Sequence, residues 1–181
     1  INKVATPFKY KDTFEYDAIM DARSTSYAKL LDLMKQEKIV IFDAEDGKST
    51  DFVNTILKTY RDKYPERNIW LFIDNFHLLS ASSDISGREK YKEMSGQIKG
   101  CAVKYDCTIC CTVEYTKIPK GEKPNNNNIA ESVALEYDAN MIMHMYSELH
   151  SLREKAELYV DEYGQQYPII ELSLGKPEIM V

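Results

Sequence analysis

At 181 residues the chain is long enough for one sizeable core, and its 44% hydrophobic and 29% charged residues are the balance of a soluble globular domain. The net charge of −6 excludes a surface built wholly for nucleic acid, though a basic loop or channel can sit in an acidic protein. No apolar run approaches the roughly 18 residues that span a bilayer, and the start, Ile1-Asn2-Lys3-Val4, has neither a Met nor an apolar signal core. The expectation is a cytoplasmic chain lacking an upstream part of its protein.

In chain order, residues 1–16 mix Lys, Pro and aromatics without a period and read as an arm or loop. Tyr27, Leu30, Leu31 and Met34 recur at helical spacing, and the β-branched run Ile39–Phe42 predicts a strand after them. Ser49 and Thr50 stand before Phe52, Val53, Ile56, Leu57 and Tyr60, the pattern of an N-cap and an amphipathic helix that stops near Pro65. Ile69–Ile73 is continuously apolar, as in a strand covered on both faces, and ends on Asp74. Ser80–Gly87 is rich in Ser, Asp and Gly and reads as a loop; a helix follows, with Tyr91, Met94, Ile98, Cys101, Ala102 and Tyr105 on one face. The run Thr108–Val113 predicts a third strand, and the alternation of strands and helices argues α/β with a mainly parallel sheet.

Thr116–Asn128 holds two Pro, a Gly and four successive Asn, too little apolar surface to order itself, and is expected to be a mobile loop. A short helix over Glu131–Tyr137 and a strand over Met141–Tyr146 come next. Glu157–Val160 and Ile169–Leu174, parted by Gly164-Gln165-Gln166, predict a C-terminal hairpin.

Gly47-Lys48-Ser49 invites a phosphate-loop reading, but the Gly required five positions earlier is Phe42, inside the expected strand. A turn and helix cap explain the same residues. Asp74 sits where open α/β sheets bind ligands, and a carboxylate there either holds a Mg2+ shell water beside a nucleotide or merely caps the next turn. Cys107 and Cys110 have a metal-like spacing, yet three positions apart in a strand they face opposite sides, so buried structural thiols are expected at Cys101, Cys107, Cys110 and Cys111. His144, on an apolar strand, reads as structural.

The segment Trp70-Leu71-Phe72-Ile73-Asp74-Asn75-Phe76-His77-Leu78-Leu79 resembles the Walker B stretch of DnaB-like replicative helicases. Downstream, Arg88, Met94-Ser95, Ile98-Lys99 and Ala102 resemble that family's next helix. Thr108–Glu114 resembles its strand ending in Ser-Gln, Ala130-Glu131-Ser132 its Arg-Glu-Ser, and Glu136–Asn140 its Glu-Gln-Asp-Ala-Asp. The blocks agree in order and spacing from about Ile39 to Tyr146, which is more specific than any one of them.

The resemblance implies a RecA-like ATPase domain, a mainly parallel sheet flanked by helices and incomplete at its N-terminal side, the phosphate-binding loop and catalytic Glu lying before Ile1. It implies ATP and Mg2+ as cofactors, with Asp74 supporting the metal, Glu114 at the position of the family's γ-phosphate-sensing Gln, and His77 and Lys117 near nucleotide. A homohexamer moving on single-stranded DNA is implied as well. Ser80–Lys90 and Thr116–Asn128 match its channel loops, so that Arg88, Lys120 and Lys123 would meet DNA. Three departures stand out. Glu114, once ionised, cannot donate to phosphate; Lys117 replaces a planar Arg; and Val160-Asp161-Glu162 stands where the family has a Lys-x-Arg finger. These favour an alternative, a non-catalytic relative that binds partners or loads a helicase, while another RecA-fold ATPase, such as a recombinase or clock-type regulator, is a further one.

Overall fold

The computed structural model describes residues 16–81, 86–119, 122–130 and 132–177. The chain divides into two units, Ile1–Asp46 and Gly47–Val181.

In the first unit, helix α1 (Tyr16–Lys35) ends as Lys38 N–H reaches back to the Leu33 carbonyl over a left-handed Glu37. The strand expected over Ile39–Phe42 does not form. Among the described residues no strand lies beside it, and Val40 and Ile41 remain exposed. A β-branched run without a partner for its backbone groups is extended chain, not sheet.

The second unit begins with helix α2 (Thr50–Lys63), capped as expected by Ser49, whose side chain accepts from Phe52 N–H. Strand β1 (Trp70–Ile73) leads through a 3-10 turn (Phe76–Leu78) to helix α3 (Gly87–Lys104), and strand β2 (Thr108–Cys111) returns parallel to β1 with Trp70 opposite Thr108 and Ile73 opposite Cys111. Alternation along the two strands sends Leu71, Ile73, Ile109 and Cys111 toward α2 and α3. There they pack on a core of Val53, Leu57, Phe76, Leu79, Met94, Ile98, Cys101 and Tyr105, with Met94 wholly enclosed. Trp70, Phe72 and Cys110 fall on the opposite face and are exposed. Cys110 is therefore not the buried thiol expected. The strand pleat turns it out, whereas Cys111 is turned in and its thiol is pushed up to about 12 by burial.

After β2 come helix α4 (Ser132–Asp138), strand β3 (Met141–Tyr146), a short helix α5 (Glu148–Leu152), and strands β4 (Leu158–Val160), β5 (Gln166–Pro168) and β6 (Glu171–Pro177). The pairing corrects the hairpin expected between 157–160 and 169–174: β4 pairs with β5, and β6 pairs antiparallel with β3, with Tyr146 opposite Glu171. Asp161 decides this. Its Oδ1 accepts from Tyr163 N–H and Gln165 N–H and closes a tight turn with Gly164 in the left-handed region, so the chain reverses at once and β6 is left to seek another edge. The sheets are thus three strand pairs, of which only β1–β2 is parallel among the described residues, and not one mainly parallel sheet.

The segment read as a mobile loop carries local order. Asn125–Asn128 build a capped 3-10 turn in which the Asn125 side chain accepts from Asn127 N–H and the Asn128 side chain accepts from Asn125 N–H. Thr116 N–H donates to the Asn128 carbonyl at 2.7 Å, closing the segment at its base. Polar side chains here replace the apolar surface the segment lacks.

Candidate functional site

The C-terminal ends of the parallel strands β1 and β2 gather the polar side chains. Parallel pairing puts Asp74 beside Thr112, and the Asp74 carboxylate accepts from the Thr112 hydroxyl. The Asp74–Asn75 peptide is cis. Phe76 N–H donates to the Thr112 carbonyl at 2.9 Å, so the chain leaving β1 stays fastened to β2. Asn75 caps the 3-10 turn by accepting from Leu78 N–H at 3.2 Å, and its amide donates to Glu114 Oε1 at 3.0 Å. His77 Nδ1 accepts from Glu114 N–H at 3.4 Å, which places the ring proton on Nε2. That Nε2 is buried without a partner, while the ring meets Tyr91 edge-on at 5.5 Å.

Three residues singled out from sequence, Asp74, His77 and Glu114, are therefore brought together. Asn75 and Thr112 join them, and sequence reasoning missed both, because a polar residue at a strand end carries no signal until the neighbouring strand is known. Glu114 does not reach outward alone, since the Asn75 amide holds one of its oxygens.

The other candidates are not in this cluster. Lys117 is exposed and shares no hydrogen bond or ion pair with it among the described residues. Arg88 lies exposed in the first turn of α3. Lys123 forms an ion pair with Glu171 at 2.6 Å on the β3–β6 pair, so its charge is already met by a carboxylate. Lys120 lies outside the described residues. The four Asn, expected to offer hydrogen bonds to DNA, spend the Asn125, Asn126 and Asn128 side chains inside the protein.

Gly47-Lys48-Ser49 is no phosphate cradle, in agreement with its reading as a cap. A Cβ at Gly47 would lie 2.6 Å from the Phe52 ring, the Lys48 carbonyl accepts from Ser80 N–H at 2.8 Å, and Ser49 caps α2. A cation fares differently at Asp74. One of its oxygens is taken by Thr112 while the residue stands exposed, which fits holding a hydrated Mg2+ through its waters and not enclosing a bare ion. Among the described residues no group of three or more His, Cys, Asp or Glu converges for direct ligation. The cysteines are likewise unpaired with one another.

No family model matches the sequence, and no curated protein matches it. Solved structures do. The chain is similar to a DnaB-like replicative helicase, described together with its interactions with primase, at 20% identity and a TM-score of 0.66, over 84% of this chain and 36% of that one. It is similar to the ATPase domain of a second DnaB-like helicase at 20% identity and a TM-score of 0.70, over 97% of this chain and 60% of that one. The chain thus spans less than two thirds of either relative. It has a mixed helix–strand fold of the kind found in the ATPase domains of DnaB-like helicases.

Proposed function

We propose that this chain is the downstream portion of a RecA-like ATPase domain in a DnaB-like replicative helicase, a motor that couples ATP hydrolysis to movement along single-stranded DNA. One observation carries the reading: Asp74 and Glu114 stand at the C-terminal ends of two adjacent parallel strands, tied by Thr112 and Asn75 into one rim. This is the edge at which open α/β folds bind their ligands. In this reading Asp74 holds Mg2+ through water, ATP lies beside it, and the phosphate cradle comes from sequence upstream of Ile1. The ordered blocks from Trp70 to Asn140 support the family, and the fold similarity supports the same placement. A homohexameric ring, with Lys117, Lys120 and Lys123 or Arg88 facing DNA, follows from the family and not from the cluster itself.

A second reading is favoured by two specific contacts. The Glu114 carboxylate is held by Asn75, and Asp161, near which an arginine finger is expected, is committed to the β4–β5 turn. Both suit a non-catalytic relative that binds partners. The two are separated by measuring Mg2+-dependent ATP hydrolysis, with and without single-stranded DNA, on the chain extended upstream of Ile1, beside Asp74→Ala. DNA-stimulated turnover that falls by a factor of at least about one hundred in the variant, as for loss of a group that stabilises transition-state charge, supports the motor. A folded, extended protein with no turnover supports the partner-binding role.

A further inference from the structure

His144, Asn126 and Tyr115, from three different segments, meet in a buried hydrogen-bonded chain. His144 is 3% exposed. The Tyr115 hydroxyl lies 2.9 Å from His144 Nδ1, and His144 Nε2 lies 2.8 Å from Asn126 Oδ1. The direction of every bond is fixed from the far end. Asn126 Nδ2 donates to Glu136 Oε1 at 2.8 Å and to the Gly175 carbonyl at 3.3 Å, so its Oδ1 faces His144 as an acceptor. Nε2 must then carry the ring proton, and Nδ1 must accept from Tyr115. The chain is complete only with a neutral imidazole.

The surroundings offer a charged ring nothing. From the segment after β2 it faces Tyr115, from the 3-10 turn the uncharged Asn126, and from β6 the uncharged Ser173 and Gly175. Glu136 on α4 is reached only through the Asn126 amide, and the Lys123–Glu171 pair lies beside Tyr146 at the strand's end. Burial accordingly holds the His144 pKa below its ordinary value. A proton added at Nδ1 would point at a hydroxyl whose own proton already occupies that line, and the Tyr115–His144 bond would break.

We propose that Tyr115, His144 and Asn126 form a proton-operated catch: neutral His144 holds the 125–129 turn against β3 and β6, and protonation at Nδ1 releases it. The same turn is the base of the segment 116–128, so the catch sets whether that segment is held down or freed. It stands whether or not the domain hydrolyses ATP.

The test is an NMR titration of the isotope-labelled chain from about pH 8 to about pH 5, the range in which histidine changes charge. The ring nitrogens of His144 and the backbone amides of 125–129 are followed together, in the native chain and in His144→Gln, which carries an amide in place of the ring and does not titrate. The expected result is a neutral Nε2–H tautomer at high pH, protonation below the ordinary histidine value, loss of the hydrogen-bonded amide shifts at the same midpoint, and no such transition in the variant. Ring titration with an unmoved turn, or a turn that still opens in His144→Gln, would overturn the proposal. If the variant does not fold, coincidence of the two midpoints in the native chain supports the catch and separation of them refutes it.

Discussion

Gly175 has no room for a side chain. A Cβ there would stand 2.2 Å from Asn126 Oδ1 and 2.4 Å from His144 Nε2, so Gly175→Ala must push the catch apart, and a loss of about 1–3 kcal/mol is expected by urea denaturation, as for overpacking. The same residues give the stability a pH dependence whose sign is set by the depressed pKa of folded His144. The unfolded chain takes up the proton first, so the stabilisation is fully present above the ordinary value near 6.5 and is lost as pH falls from there through the folded value. Urea midpoints should fall over that window and change less in His144→Gln. The cysteines answer to burial in a third way. A thiol reagent on the native chain should modify exposed Cys110 first and Cys111 last, since the latter is pushed up to about 12, and peptide mapping reads the order. Asp74 was legible from sequence because an apolar run that ends on a carboxylate is a local pattern. Thr112, Asn75 and the partners of His144 were not, because each lies 18 to 39 residues from the group it bonds and only folding sets them side by side.

At the scale of elements, the ends of α2 and α3 are joined by one side chain. Arg61 donates from Nε to the Tyr105 carbonyl at 2.8 Å, from Nη2 to the Asp106 carbonyl at 2.7 Å, and from Nη1 to the carbonyls of Pro65 and Arg67, both at 2.9 Å. These are C-terminal carbonyls that a helix cannot satisfy itself, and the planar guanidinium meets four of them at once. Arg61→Lys keeps the charge and loses the fork. A loss of about 1–3 kcal/mol in urea is expected, the range for hydrogen bonds to charged groups. Helices α2 and α3 were legible in the sequence because their 3.6 spacing and the Ser49 cap are short-range features. The strand Ile39–Phe42 and the partner of β6 were misread for one reason: a strand exists only with its neighbour, and no sequence window contains the neighbour.

Over the second unit as a whole, β1–β2 is a parallel pair covered on a single face. Trp70 and Phe72, 64% and 69% exposed, stack side by side on the bare one with ring centroids 6.3 Å apart. Parallel sheets are ordinarily covered on both faces. Trp70 is the only tryptophan of the chain, so its emission is expected near that of free tryptophan and open to acrylamide quenching, and a blue shift in a longer chain would report cover from added sequence. The sequence by itself determined the helices, the apolar strands, the family resemblance and the Asp at the end of β1, because hydrophobic period, caps and motif order are written in neighbouring residues. Only the tertiary structure decided that three strand pairs form, that Glu114 is held by Asn75, that Lys123 is spent on Glu171, and that His144 is locked between Tyr115 and Asn126. Those are contacts between residues far apart along the chain, and they exist only once packing has chosen which edges and faces meet.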